Sequence, residues 1–350
     1  MNASISLKDV ARLAGVSFKT VSNVVNQVEH VRPQTREKVL NAIRELGYRP
    51  NADARRLVLG ARGGIGRSHS GLRIGCILRD QIAKYQSSYF TGVFAGIEAE
   101  LKDRGHFLAF MESREELERN PLLFNALTGE AMLDGVISFV GTQERSFWNR
   151  LASAYPLVAI GGRGKELRVD ADKSEGVRLA VEHLSGLGHR NLAFVGGGAA
   201  DLETADMRPL AFLAELAARA LPIEASWRGG IGFGFEVGYE EGKRLLALPR
   251  RPDAIVCASD LTAIGVVHAL LSAGVAVPGE ISVVGYDDIP EARLVHPPLT
   301  TIHVPLEELG REAVRLLLSR IADPGAPLAA RLLPVGLIPR ASTARKSATP

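Results

Sequence analysis

The sequence predicts a two-part protein: an all-α helix-turn-helix head, then a larger α/β body of parallel sheets arranged in two lobes. Three observations carry that expectation. Apolar residues repeat at helical spacing in short segments over the first fifty residues, joined by a tight glycine turn. From Leu72 onward, short strand-like apolar runs alternate with amphipathic segments. The chain has 350 residues, more than one core holds at about 150 residues per domain, and the body is long for a single sheet.

The head is read in order. Ser6-Leu7-Lys8-Asp9 has the form of a helix start, with a capping hydroxyl and an acid three residues on. Val10, Leu13 and Ala14 follow at helical spacing, and Gly15 supplies a left-handed stop. Ser17 is a credible N-cap for a second helix, Phe18 to Val25, whose buried face is Val21, Val24 and Val25. Phe18, Lys19, Ser22, Asn23 and Asn26 face elsewhere. A third helix begins at Pro33, buries Val39, Ile43 and Leu46, and ends at Gly47. Two short helices with a brace fit the DNA-reading arrangement, whose second helix enters the major groove. Spacing alone fits a plain three-helix cap as well.

Charge separates the two parts. Residues 1–60 hold ten Lys/Arg against five Asp/Glu, a net +5, within a chain of net +3. The remainder is therefore −2. A basic head on a slightly acidic body points to a polyanion partner for the head alone. Hydrophobic residues at 46% and charged residues at 23% fit a globular chain. No run reaches the roughly 18 apolar residues of a membrane span, and the first residues lack the pattern of a secretory leader. A cytoplasmic location with no membrane partner is expected. Cys76 and Cys257 each lie in a strand-like run and are expected as buried, inert thiols.

In the body, strands are expected over Arg73–Leu78, Phe107–Met111, Gly135–Val140, Leu157–Gly161, Asn191–Val195, Ala254–Ala258 and Ile281–Tyr286. Helices are expected over Phe90–Arg104, Glu175–Leu187, Pro209–Ala220, Val237–Ala247, Leu261–Ala273 and Leu306–Ile321. Such alternation gives parallel sheets covered by helices on both faces. Ligands in these folds bind at the carboxyl ends of the strands, here in the crevice between lobes.

Several stretches carry a family resemblance. Leu7-Lys8-Asp9-Val10-Ala11, Ala14-Gly15-Val16-Ser17, Thr20-Val21-Ser22, Val24-Val25-Asn26, Thr35-Arg36-Glu37-Lys38-Val39 and Leu46-Gly47-Tyr48-Arg49-Pro50-Asn51 resemble the lactose/galactose-repressor (LacI/GalR) family. Val181-Glu182-His183-Leu184, Leu187-Gly188-His189-Arg190, Ile281 to Asp288 and Pro297-Pro298-Leu299-Thr300-Thr301-Ile302 resemble its core, which is similar to periplasmic sugar-binding proteins. Residues 112–170 match only in pattern.

The resemblance implies a ligand-responsive transcriptional regulator, a repressor by default, that binds pseudo-palindromic double-stranded operator DNA as a homodimer. It divides the chain into a DNA-binding domain 1–49, a hinge helix 50–60, a flexible linker 61–72, a two-lobed core 73–340 and a disordered tail 341–350. It assigns base reading to Phe18, Lys19 and Asn23, whose chemistries suit a thymine methyl, guanine and adenine. Phosphate contacts fall to Thr20, Ser22 and Asn26. Arg55 and Arg56 would lie near phosphates, and Leu57 would wedge into the minor groove. The glycine-rich run Gly60 to Gly71 is longer than the family's usual joint and loosens the expected coupling.

For the ligand, the resemblance points to Asp287 at the end of a strand, able to accept from neighbouring hydroxyls. It also points to Ser259 and Asp260, which N-capping explains equally well. Arg208 is a candidate grip for hydroxyls or a carboxylate. Phe233 would stack on an apolar ligand face, although Phe235 could take its place. Tyr89 and Phe90 complete the set, and Asp288 is read as structural. A sugar inducer is the default effector, with a purine or other corepressor as the alternative.

No cofactor or metal is expected. Gly196-Gly197-Gly198 lacks the dinucleotide spacing, and neither a P-loop, HExxH, GxSxG nor clustered Cys/His occurs. A sugar-transport component is opposed by the basic head. An α/β enzyme would need a nucleophile and base that the sequence does not offer, and turnover of a bound sugar would revive it. The tail after Arg340 has no leucine heptads, so a coiled-coil tetramer is not expected.

Overall fold

A computed structural model of the chain describes residues 7–25, 32–46, 71–78, 87–129, 132–139, 145–162, 167–198, 206–327 and 329–346. It divides into two compact units, Met1–His69 and Ser70–Pro350.

The first unit contains α1 (Leu7–Ala14), α2 (Phe18–Val25) and α3 (Pro33–Leu46). Gly15 takes the expected positive φ of 62° between the first two. Ser17 Oγ accepts from the Thr20 amide at 3.1 Å and so caps α2. Val10, Val21, Val24 and Val39 form the small core with Ala11 and Ala42. Leu13 corrects the expected face: it is 45% exposed, and Ala11 packs inward in its place, with Ala14 against the core as expected. The expected cap Ser6, the helix stop Gly47 and the hinge lie outside the described residues.

Among the described residues the second unit holds two six-stranded sheets. The first lobe contains β1 (Arg73–Leu78), α4 (Ser88–Asp103), β2 (Phe107–Ser113), α5 (Arg114–Arg119), α6 (Pro121–Gly129), β3 (Gly135–Ser138), α7 (Arg145–Ala154), β4 (Leu157–Ile160) and β5 (Arg168–Ala171). The chain then builds the second lobe: α8 (Lys173–Gly186), β6 (Leu192–Val195), α9 (Met207–Ala218), β7 (Arg228–Gly229), α10 (Phe235–Leu246), β8 (Ala254–Cys257), α11 (Asp260–Ser272), β9 (Ser282–Asp287) and β10 (Thr300–His303). It returns through α12 (Leu306–Ala322) and β11 (Arg331–Leu333) to the first lobe, and ends with β12 (Gly336–Ile338) in the second.

The sheet orders are β11-β5-β4-β3-β1-β2 and β12-β10-β9-β8-β6-β7. Pairing is parallel except for the antiparallel β10–β12 edge. Strands β3, β4, β6 and β8 are buried at every position. Helices cover both faces, so these strands read as continuous apolar runs without alternation. Cys76 and Cys257 are free and buried, as expected.

Residues 341–346 differ from the expected disordered tail. Ser342 Oγ donates to the Val283 carbonyl at 2.6 Å and accepts from the Thr300 amide at 2.8 Å. The Lys346 amide donates to the Leu187 carbonyl at 2.9 Å. Small side chains here strap the segment across β9, β10 and the end of α8, an outcome that composition does not signal. No described helix is long and apolar enough to cross a membrane.

Candidate functional site

In the head, burial of Val21 and Val24 fixes the rotation of α2. That rotation leaves Phe18 51% exposed and Lys19 exposed, with Asn23 half-buried beside them. Thr20 is engaged locally, its Oγ1 lying 2.8 Å from Ser17 Oγ. Ser22 belongs to α2 as expected. Asn26, Arg55, Arg56 and Leu57 lie outside the described residues. A large apolar side chain standing in water next to a lysine, on a capped two-turn helix, suits insertion into a groove with thymine methyls and base edges.

In the core, the strand ends of the two sheets bring together Tyr89, Asp170, Lys173, Asp206, Arg208, Tyr286 and Asp287, close enough that their charges act on one another. Asp206 caps α9, accepting from the Arg208 amide at 3.2 Å. The same carboxylate takes Arg208 Nε on both oxygens, at 2.8 and 3.0 Å. Arg208 Nη1 donates to the Ala258 carbonyl at 2.5 Å. Its guanidinium lies 4.9 Å from the Phe233 ring centroid and 5.1 Å from that of Tyr286. Arg208 is thus 8% exposed and held rigid. Burial works against the charge of Asp206, yet the neighbouring guanidinium holds its carboxyl below the ordinary range.

Asp287 ends β9 at a φ of 109°, which a residue with a side chain rarely adopts. It is 7% exposed and makes no side-chain hydrogen bond among the described residues. Burial pushes its carboxyl well above the usual carboxylate range, opposed by Arg208. Burial together with Asp287 and Asp170 likewise raises the Tyr89 hydroxyl. Tyr89 and Phe90 meet edge to face at 5.3 Å, and Phe90 meets Phe139 at 5.0 Å, an aromatic wall on the first lobe.

Two candidates turn away from this cluster. The Asp260 carboxylate is fully buried between strands, accepting from the Ile289 amide at 2.8 Å and Thr301 Oγ1 at 2.5 Å. Ser259 Oγ caps α11 through the Thr262 amide at 3.2 Å and donates to the Phe233 carbonyl at 2.7 Å. Ser259 as the N-cap of α11 and Asp260 through Ile289 and Thr301 spend both side chains on the fold, which corrects their expected place against a ligand. Phe233 and Phe235 take different positions. Phe233 lies beside Arg208, while Phe235 stacks with Tyr239 at 6.0 Å and meets His268 at 5.6 Å. Asp288 is structural, taking Arg340 and, at 3.0 Å, His303.

Sequence reading missed Asp170, Lys173, Asp206 and Tyr286. The signal for Asp206 was present, since an acid two residues before Arg208 at a helix start can both cap and pair. Asp170 and Lys173 sit where β5 passes into α8, and Lys173 Nζ donates to both Asp170 oxygens at 2.7 and 2.5 Å. The four-residue strand Arg-Val-Asp-Ala offers too little apolar pattern to place them. No group of side chains able to hold a metal occurs among the described residues.

Comparison with known proteins gives a consistent answer. Residues 6–51 match bacterial regulatory proteins of the lacI family, and residues 181–343 match a periplasmic binding protein-like domain. The chain is 32% identical over 328 residues to the HTH-type transcriptional repressor PurR of Mannheimia succiniciproducens, covering 92% of this chain and 93% of the relative. A structure of the transcriptional regulator CelR in complex with cellobiose superposes with a TM-score of 0.69 at 29% identity, over 97% of this chain and 99% of that one. The lac repressor dimer bound to operator and the anti-inducer ONPF gives a TM-score of 0.69 at 29% identity, over 98% and 100%.

Proposed function

The chain belongs to the lacI family of bacterial regulatory proteins, and from that premise we propose that it is a dimeric repressor whose operator affinity is shifted by a small molecule in the interlobe cleft, a sugar inducer. It regulates transcription and is not an enzyme, as its relatives are transcriptional repressors. The head docks α2 in the major groove, where Phe18, Lys19 and Asn23 read bases and Thr20, Ser22 and Asn26 contact phosphates. One head per half-site then matches a pseudo-palindromic operator. Arg55, Arg56 and Leu57 serve the minor groove at the operator centre.

The effector enters the cleft of the core. The observation that carries this is the buried, unpartnered Asp287 beside the immobilised Arg208, an acceptor and a donor fixed at the ends of neighbouring elements. Such a pair grips a hydroxyl-bearing ring, while Phe233 and Tyr89 offer aromatic faces. Binding that favours one lobe arrangement shifts the population and with it the hinge geometry. A second reading has its own support: relatives at 32% identity are named PurR repressors, which favours a purine corepressor in the same cleft.

Operator binding of the full chain, followed by fluorescence anisotropy on a pool of upstream promoter fragments, tests the proposal. Lys19→Ala and Leu57→Ala weaken binding without altering effector affinity, and affinity falls steeply with salt. Release of DNA by a sugar supports the inducer, and DNA binding that requires a purine supports the corepressor. Retention of operator affinity in both variants overturns the docking scheme.

A further inference from the structure

Residues 341–346 cross the starts of β9 and β10, at the far end of β9 from Asp287. We propose that this segment is an acid-released strap, held closed while His183 is neutral and opened when that ring takes up a proton. The proposal is independent of the effector reading.

Ser342 is fully buried and fastens the strap to β9. Its carbonyl accepts from the Val283 amide at 2.9 Å, and its hydroxyl donates to the Val283 carbonyl at 2.6 Å. Two histidines hold the next two residues. His183 on α8 places Nε2 3.0 Å from Thr343 Oγ1, and the buried His189 places Nε2 3.1 Å from the Ala344 carbonyl. A carbonyl only accepts, so His189 donates there. His183 takes the opposite part. The Arg340 amide donates to Thr300 Oγ1 at 2.9 Å, Thr300 Oγ1 lies 3.0 Å from Thr343 Oγ1, and Thr343 reaches His183. With each hydroxyl passing its hydrogen along, this chain of donors ends on an acceptor, the bare Nε2 of a neutral ring.

The surroundings make a proton on His183 costly. Burial, with the neighbouring His189, holds its ring below the usual histidine value of 6.5. The Asp253 carboxylate of this patch is engaged by Lys346 Nζ and by the Asn191 amide at 3.1 Å, and lies 3.4 Å from His189 Nδ1. Arg190 is turned to the Ser185 carbonyl at 3.3 Å, and Arg340, after β12, to Asp288. On α8 itself Glu182 pairs with Arg178 at 2.7 Å. A base whose folded value lies below its free value takes its proton more readily once released. The closed strap therefore keeps its full hold above pH 6.5 and loses hold as pH falls below that value. A released ring of ordinary value limits the gain in opening to about tenfold between pH 7.5 and pH 5.5. Opening frees the start of β9, whose other end carries Asp287.

Amide exchange of the full chain, followed by mass spectrometry and corrected for the intrinsic rate at each pH, tests the strap. The Ala344 and Lys346 amides donate to Ser282 Oγ at 3.2 Å and to the Leu187 carbonyl at 2.9 Å. Their protection is expected to fall several-fold, up to about tenfold, from pH 7.5 to pH 5.5 while that of β8 does not fall. His183→Gln, whose amide oxygen accepts from Thr343 without carrying charge, is expected to keep the protection at pH 7.5 and to lose its pH dependence. Thr343→Val is expected to lower protection throughout the range. Ring NMR of His183 in the unaltered protein gives a reading that needs no variant to fold. Titration of that ring at or above 6.5, or strap protection that holds constant down to pH 5.5, overturns the proposal. A pH dependence that persists in His183→Gln places the switch on another group and overturns it as well.

Discussion

In the first lobe, α4 and α12 cross where Gly96 and Gly310 each face the other helix's backbone. In the second, α10 and α11 cross at Gly238 and Gly265 in the same way. A Cβ on Gly96 would stand 1.8 Å from the Glu307 carbonyl oxygen, and one on Gly238 1.9 Å from that of Thr262. The scaffolds correspond, but their buried carboxylates do not. Glu100 on α4 is ringed by Arg104 at 2.7 Å, Arg315 at 3.0 Å and Arg311 at 3.4 Å. Asp260 on α11 is held by a hydroxyl and an amide. Burial opposes the charge on both. The guanidiniums nevertheless bring Glu100 down to about 2, whereas Asp260, bonded to neutral donors, is pushed up to about 7. The deeper enclosure of Asp260 and the neutral character of its partners act together, whereas Glu100 lies at the edge of its lobe among guanidiniums.

The largest expected effect tests the scaffold. Gly96→Val and Gly238→Val should each cost about 3 kcal/mol or more, because carbonyl oxygens of a packed helix cannot retreat as a flexible side chain can. Urea unfolding measures both. A Gly238→Val protein with a wild-type midpoint would break the correspondence between the two crossings.

Next comes Glu100→Gln, expected to cost on the order of 2 kcal/mol, below the range for wholly buried pairs because its arginines are partly exposed. The pH dependence sharpens the contrast between lobes. Glu100 has a folded pKa below its unfolded value of 4.5, so its contribution is present above that pH and is lost as pH falls towards 2. Asp260 has a folded pKa above its unfolded value of 3.8, so its contribution is full below that pH and is lost as pH rises through about 7. Asp287 shifts in the same direction. Unfolding midpoints should therefore fall between pH 5 and pH 8, and Asp260→Asn should flatten that slope. A slope unchanged by Asp260→Asn would place its origin elsewhere.

The sequence made much of this scaffold legible, and the limits have physical causes. Strands β1, β4, β6, β8 and β9 are dense apolar runs because helices cover both faces, and each was expected within a residue or two. The amphipathic helices α4 and α8 to α12 were equally plain. Strands β5, β7, β10, β11 and β12, of two to four residues, were not expected. They lie towards the sheet margins, where neighbours rather than composition define pairing. Helices α5, α6 and α7 were passed over because charged and aromatic residues blur their period. In the cleft, Asp287 and Arg208 were named through the family resemblance, at a strand end and a helix start. Which of two adjacent acids or aromatics faces inward was not readable. Asp260 and Asp287 share a residue type and a strand-end location, and only the path of the backbone distinguishes them.

The smallest effect concerns the joint between the lobes. Ser88 Oγ, in the first turn of α4, donates at 2.5 Å to Glu291 Oε1, in the turn that follows β9 in the other lobe. The second oxygen of Glu291 is buried without a hydrogen-bond partner. This bond fixes no fold within either lobe, since both sheets close without it, but it spans the two lobes and so depends on how they sit. Ser88→Ala should therefore leave the urea midpoint within about 0.5 kcal/mol while changing effector affinity about three- to tenfold, as one hydrogen bond of about 1 kcal/mol allows. Glu291→Gln should change it less, because its amide oxygen still accepts from Ser88. Calorimetric titration with whichever compound proves to bind checks both. If neither variant alters affinity, the arrangement is set by the chain crossings alone, and the lobes differ in charge without using that bond to communicate.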